Sequence, residues 1–298
     1  MSRVVSAGRP VPLRRPMMAR WRKVLRLLPH LPLAAGAVLM TIPFLFLISG
    51  SLNTPVGMFA FPPILIPDPL HPENYPYVLF ERPYLRYLQN TMTVVVPSVI
   101  GQLFSSILAA YAFARMRFPG RDLVFGITLA TIMLPYAVTM IPTYVMFNQV
   151  GMVGTFWPLI LPFWFGGSAF YTFLLRQFFR TIPLELEEAA IIDGAGYITI
   201  ISRIILPLSV PAIVVITILS VLSHYTDYLG PLIYAKGYEM WTLAIGIVMV
   251  KGAFATGGMP RWNLVMAMSA LMVIPVIAIF FLAQRVFIQG IVLTGIKG

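Results

Sequence analysis

The stretch Glu188-Ala189-Ala190-Ile191-Ile192-Asp193-Gly194, followed after nine residues by Ile204-Ile205-Leu206-Pro207, sits between two long apolar runs. It is short, partly acidic and interrupted by glycine. Glu185, Glu187 and Glu188 crowd the front, where a helix dipole favours carboxylates, and read as a solvated helix start. Thr181 stands where a cap is wanted and Pro183 suits a first turn. Ala189 and Ala190 then give the helix a face of little bulk, so another protein's groove can close on its backbone. Gly194 supplies the positive φ that stops it. A second short helix is expected over about 197–205, leading through Pro207 and Pro211 into the next apolar run. Such a helix–turn–helix, joined rigidly to a span, is a lever.

The rest of the chain is membrane. Of its 298 residues 59% are hydrophobic and only 10% charged, against about a quarter charged in soluble domains. Six runs are long enough, at roughly 20 residues, to cross a hydrocarbon core of about 30 Å: roughly 31–50, 91–114, 123–146, 155–175, 208–232 and 263–284. The expected fold is all-α: a polytopic membrane domain over 31–298 with six transmembrane helices, a loop at about 181–206, and a basic segment 1–30 ahead of it. Pro43, Pro97, Pro135, Pro142, Pro158, Pro162 and Pro275 fall inside the runs. Membrane helices tolerate them where neighbours satisfy the freed carbonyls. The stretches 51–88, rich in proline, and 233–261, rich in glycine, read as long loops on one side.

The net charge of +11 is distributed by topology. Residues 1–30 hold eight arginines and lysines and no acid. Arg115, Arg117 and Arg121 follow the second run; Arg176, Arg180 and Arg203 follow the fourth; Arg285 and Lys297 lie at the end. With six spans, 16 of the 21 basic residues share one side, leaving Arg82, Arg86, Lys236, Lys251 and Arg261 on the other. The positive-inside rule puts both termini and the Glu188 loop in the cytoplasm. The basic residues are thus topology determinants, and no nucleic-acid partner is implied. Around Trp21 the segment is basic and amphipathic, suited to the lipid headgroup region. The run at 31–50 exceeds a signal peptide's usual 7–15-residue apolar stretch and reads as an uncleaved span.

No catalytic set emerges. The absence of cysteine excludes disulfides, thiolate chemistry and Cys-ligated metals. His30, His71 and His224 lie in separate regions without metal-ligand spacing. No G-x-x-x-x-G-K-[ST] motif is present, so this chain does not cradle ATP in that way.

The spacing E-A-A, three residues, G, nine residues, I-x-L-P is met without a gap by Glu188, Ala189, Ala190, Gly194, Ile204, Leu206 and Pro207. It resembles the signature of permease subunits of binding-protein-dependent ABC importers. The frame Ile182 to Ala195 is similar to their carbohydrate branch. Glu73-Asn74-Tyr75, Asn90-Thr91, Asp227 to Leu232 and the end from Pro275 to Gly298 resemble the smaller, six-span maltose-permease-like subunits. The resemblance covers about 40–298 and implies a type I ABC importer permease fold in a bacterial or archaeal plasma membrane. It implies three kinds of partner besides membrane lipid: a second related permease, a cytoplasmic ATPase dimer, and an extracytoplasmic solute-binding protein. ATP and Mg would belong to the ATPase, leaving this chain without a cofactor and not itself an enzyme. Glu188 would pair with a basic ATPase residue, Ala189 and Ala190 would enter its cleft, Asp193 belongs to the same frame, and Gly194 would set the turn. The Gly295–Gly298 tail is a further candidate contact. Where the family often has Trp-Asn before the acidic residue ending span five, this chain has Tyr225-Thr226.

Cargo contacts are less defined. His224 and Asp227, three apart, share a helix face and suit sugar hydroxyls; alternatively Asp227 lies at the membrane interface and pairs internally. Tyr136, Tyr144, Trp164, Tyr171 and Tyr225 either stack on sugar rings or face lipid and core. An ion-coupled secondary transporter is the alternative function, but it would call for buried carboxylates and an inverted repeat, and no repeat is visible. Glu188→Lys and Gly194→Asp are expected to leave the protein inserted and abolish transport; uptake at wild-type rate in both would contradict the coupling reading.

Overall fold

The computed structural model describes residues 30–62, 64–253 and 260–295. The segment 1–30, its Trp21 stretch included, lies outside these residues except for His30, as do Ile296 to Gly298. Among the described residues every regular element is helical: α1 His30–Ser51, α2 Tyr84–Arg115, α3 Arg121–Ala130, α4 Tyr136–Gln149, α5 Trp157–Phe165, α6 Ala169–Phe179, α7 Glu185–Ile192, α8 Tyr197–Leu208, α9 Val210–Tyr225, α10 Leu229–Tyr234, α11 Leu243–Ala253 and α12 Trp262–Gly295. Four segments are long and apolar enough to span: α1, α2, α5 together with α6, and α12 as far as Gln284. Two bent pairs, α3 with α4 and α8 with α9, bring the total to six.

Helix α2 is the hub. Its 32 residues extend about 48 Å, well beyond a hydrocarbon core, and it packs against α5, α6, α9 and α11. The face it buries carries small and polar residues: Thr91, Ser98, Gly101, Gln102 and Ser106. Lipid provides no hydrophobic drive between helices, so such faces serve close approach and hydrogen bonding. Ser98 Oγ donates to Leu159 O at 3.0 Å and Ser105 Oγ to Phe163 O at 2.8 Å. Both acceptors lie in α5, around Pro162 and just before the chain breaks at Gly166-Gly167-Ser168. The Ser106 hydroxyl accepts from Ser168 N, and Ser168 caps α6. The fourth span is therefore two half-helices, with α2 satisfying the polar groups that the break exposes. Helix α1, apolar on every side, buries only Ser49, Gly50 and Ser51 and leans on α12.

Several boundaries differ from expectation. The third span is not straight: a 3-10 turn at Thr131–Met133 gives way to extended Leu134 and Pro135, and α4 departs at 101°. Proline pushes the residue before it out of helical conformation, which explains the corner. The fifth span starts at Val210 and its helix ends at Tyr225; α10 resumes after a three-residue break. The 51–88 stretch is not simply extended, having a helical turn at Asn74–Pro76 that runs into a π-turn at Tyr77–Glu81. The 233–261 stretch contains the 11-residue helix α11, whose Leu243 and Ile245 are fully buried and which packs on α2 and α12.

Gly246 of α11 is seated on the ring of buried Tyr87, so tightly that a methyl there would collide with it. Gly126 of α3 faces open space. Gly246→Ala should therefore destabilise the purified protein by about 1–3 kcal/mol. Gly126→Ala should be neutral or stabilising by about 0.5–1 kcal/mol, both read by thermal unfolding in detergent.

Candidate functional site

The E-A-A segment forms a helix–turn–helix that protrudes from one end of the bundle. Helix α7 ends at Ile192 with Asp193 as its cap, Gly194 takes φ +82°, and α8 begins at Tyr197. Nothing lies within 4 Å of the space a Gly194 side chain would fill, so its conformation rather than crowding calls for glycine. Ala195 N donates to Ala190 O at 2.9 Å and Gly194 N to Ile191 O at 3.0 Å, closing the turn. Helix α8 includes a π-turn at Ile201–Ile205 and stops at Ser209, between Pro207 and Pro211. It meets α9 at 84°.

The segment divides into an outer and an inner face. Glu188, Ala189, Asp193 and Gly194 are exposed, and so are Ile191, Ile192, Tyr197 and Ile198. Ile192 is 85% and Ile198 83% exposed, high for apolar side chains beside a glycine turn. Ala190 instead packs inward with Ala195 and Ile201 against a core of Tyr111, Leu175, Phe179, Ile200 and Ile205. Ile204 and Leu206 are half-buried and Pro207 is exposed. Thr181 does not cap α7: its hydroxyl donates to Phe178 O, back into α6. The first-turn N–H groups of Glu187 and Glu188 bond Leu184 O instead.

Glu187 is not solvated, contrary to the reading of the acidic run. Only 5% of its side chain is exposed. Its Oε1 lies 2.7 Å from Arg115 Nε, an electrostatic contact rather than a well-aligned hydrogen bond, and its Oε2 accepts from Tyr111 OH at 3.1 Å. Arg115, the last residue of α2, also donates through Nη2 to Phe179 O at 2.7 Å and Ile182 O at 2.5 Å. One guanidinium thus joins α2, the end of α6, the 182 linker and α7. Nearby, Arg176 Nε donates to Phe113 O and the guanidinium stacks on Phe125 at 4.1 Å. Sequence reading missed the pair because its partners are 72 positions apart; the signal available was Glu187's place one residue from Glu188, about 100° round the helix and so on a different face.

The residues proposed for cargo are less uniform. His224 Nε2 lies 3.0 Å from Gln102 Oε1, which also accepts from Ser220 Oγ, and the imidazole sits edge-on to Phe163. Asp227 Oδ1 accepts from Gly230 N at the start of α10. Both polar groups therefore have partners within the chain. Tyr225 is buried, donating to Met272 O, and Tyr171 is buried in the core that supports α8. Tyr136 is half-exposed and lies within the electrostatic reach of Asp227. Neither these tyrosines nor His224 and Asp227 line the cavity of about 780 Å³ between α2 and α5, whose walls include Thr93, Pro97, Trp157, Ile160 and Trp164. At the end remote from α7, a smaller cavity of about 380 Å³ includes Asn74, Asn263, His71 and Glu73. There the His71 hydrogen bond holds the Glu73 carboxyl below its usual range.

Residues 101–292, which include the whole helix–turn–helix, match the family described as binding-protein-dependent transport system inner membrane component. The chain belongs to that family. It is a multi-pass membrane permease subunit. It is 36% identical over 285 residues to the sn-glycerol-3-phosphate transport system permease protein UgpE of Brucella suis biovar 1 (strain 1330), covering 93% of this chain and 99% of that one. UgpE of Rhizobium meliloti (strain 1021) is 35% identical over 284 residues, with the same coverage. Among solved structures, a chain of a bacterial ABC transporter involved in import of the acidic polysaccharide alginate superposes with TM-score 0.76, at 23% identity and covering 91% of this chain and 99% of that chain. A chain of bacterial alginate ABC transporter in complex with a periplasmic protein bound to alginate pentasaccharide superposes with TM-score 0.63 at 15% identity, covering 89% and 96%. These likenesses give the importer permease fold.

Proposed function

We propose that this permease subunit is driven by a separate cytoplasmic ATPase that docks on α7 and α8, and that it imports a sugar or sugar-like solute. The observation that carries the reading is the exposed outer face of the helix–turn–helix. Glu188, Ala189 and Gly194 share it with the bare apolar side chains of Ile192 and Ile198. A large apolar side chain left exposed next to a rigid turn is the mark of a protein interface rather than of a solvated loop. The alanine and glycine let a cleft approach the backbone, the isoleucines anchor it, and Glu188 offers a charge for a basic partner. The α7 end would then face the cytoplasm, in agreement with the placement of the arginines.

In this reading the ATPase carries ATP and Mg, and closing of its dimer presses on α7. The short α8, set at 84° to α9, converts that push into movement of the spanning helix. An ATPase dimer has two clefts and this chain offers one helix–turn–helix, so a second, related permease completes the pore. A solute-binding protein delivers cargo to the opposite end, near the 51–88 stretch and α11. The cargo belongs to the class that includes sugars, polyols and glycerol phosphates. The identity with sn-glycerol-3-phosphate permeases makes that ester the first ligand to try. Trp157 and Trp164 in the 780 Å³ cavity offer ring faces on which a sugar can stack.

The purified complex, reconstituted in lipid with its binding protein, should show ATPase activity stimulated by one ligand from a panel of sugars, polyols and glycerol phosphates. Ile192→Asp should lower co-purification of the ATPase at least tenfold while the permease still inserts. Absence of any bound ATPase from the wild-type complex would overturn the reading.

A further inference from the structure

Through the chain, α7 is joined to the bundle by the 180–184 linker from α6 and by the α8–α9 lever. A further connection is not made by the chain's continuity. Arg115 and Glu187 face each other across the base of α7, with side chains 10% and 5% exposed. Tyr111 holds the second carboxylate oxygen, and the same guanidinium takes the carbonyls of Phe179 and Ile182. Glu187 is the one buried residue of α7 and Ala190 the one of intermediate burial, while its other residues are exposed.

We infer that Arg115, Glu187 and Tyr111 are positioning residues forming a joint by which movement of α7 is delivered directly to α2. This rests on the proposed ATPase coupling and specifies the element that receives it. Two physical features support a joint rather than a passive contact. A guanidinium engaging three partners in a planar fork fixes angle as well as distance, which an isolated ion pair does not. And removing one member of a buried pair leaves the other charge without compensation, so the joint cannot open partway at small cost. Since α2 packs on α5, α6, α9 and α11, a displacement of its Arg115 end reaches most of the bundle at once. The lever at Ser209 then turns α9, while the joint carries α2 along with α7. The short polar link from Ser220 and His224 to Gln102 connects those two spans again, about midway along α2.

The test is a double-mutant cycle of Arg115→Gln and Glu187→Gln in the reconstituted complex with ATPase and binding protein, with uptake expressed per assembled complex. Each single variant should retain the ATPase subunit yet lose at least tenfold in cargo moved per ATP hydrolysed. The double variant should be no worse than the poorer single, and Tyr111→Phe should lose only about two- to threefold. Wild-type coupling per assembled complex in both singles, or losses that multiply in the double, would overturn the joint. Failure of wild type to hold an ATPase would instead defeat the coupling reading beneath it. Should the charge variants not assemble, spin labels on Leu186→Cys and Leu108→Cys decide the matter, the chain having no cysteine of its own. Both positions are exposed, one on α7 and one on α2. Their distance should stay within about 2 Å when a non-hydrolysable ATP analogue binds; a larger change would show that α7 moves independently of α2.

Discussion

In a bilayer each backbone N–H and C=O that a break exposes must find a partner within the protein, at a cost of several kcal/mol if it does not. The shape of this permease follows from how α2 meets that demand. Proline and glycine break the span formed by α5 and α6; Ser105 and Ser106 of α2 supply partners at the break, and Ser98 bonds the carbonyl of Leu159 a turn earlier. At the opposite end Thr91 accepts from Leu243 N, pinning the start of α11 to the same helix. Two irregular segments are thus held by hydroxyls on one 32-residue helix. Were α2 uniformly apolar, neither broken segment would have a low-energy place in lipid.

The same helix ends in Arg115, where hydrogen bonding gives way to charge. A buried ion pair is weak evidence for stability, because desolvation cancels much of the attraction. Its stronger property is specificity of geometry. Breaking it from one side costs about 3–5 kcal/mol. That is comparable with the few kcal/mol that separate conformations of a switching protein, so α7 keeps one angle to α2 over the range in which an ATPase would work on it. The opposing face of α7 bears Ile192 and needs no partner inside the chain. Its helix is thus bound on one side and open on the other, the arrangement a transmitting element requires.

Much of this was legible in sequence because it is local. The E-A-A spacing, Gly194 and the proline-marked corner at 207–211 predicted a helix–turn–helix at an angle to a span, and the structure has Gly194 at φ +82° and an 84° corner. The apolar runs located the spans, though not their ends or breaks. The 101° corner at Pro135 was hidden because proline is common in membrane helices, and only packing decides whether it kinks or ends one. Helix α11 was passed over because glycines and lysines at its rim suggested a loop, although Leu243 to Val250 is wholly apolar apart from Gly246. Glu187 was read as solvent-facing because a single sequence gives an acidic run no direction. Its partner Arg115 looked like one more topology-setting arginine, and nothing in local spacing links the two. His224 and Asp227 were visible as intramembrane polar residues, but their partners Gln102 and Gly230 come from packing and backbone geometry.

The claim on which the functional account stands is that the outer face of α7 and α8 is an ATPase interface. Cross-linking tests it directly, since a cysteine-free chain gives a clean background. Single cysteines would be placed by Ile198→Cys at the turn and, as a control, by Val138→Cys on exposed α4. The account predicts a covalent ATPase adduct from position 198, sensitive to nucleotide, and none from position 138. Equal adducts from both positions, or none from 198 in a complex that transports, would contradict it.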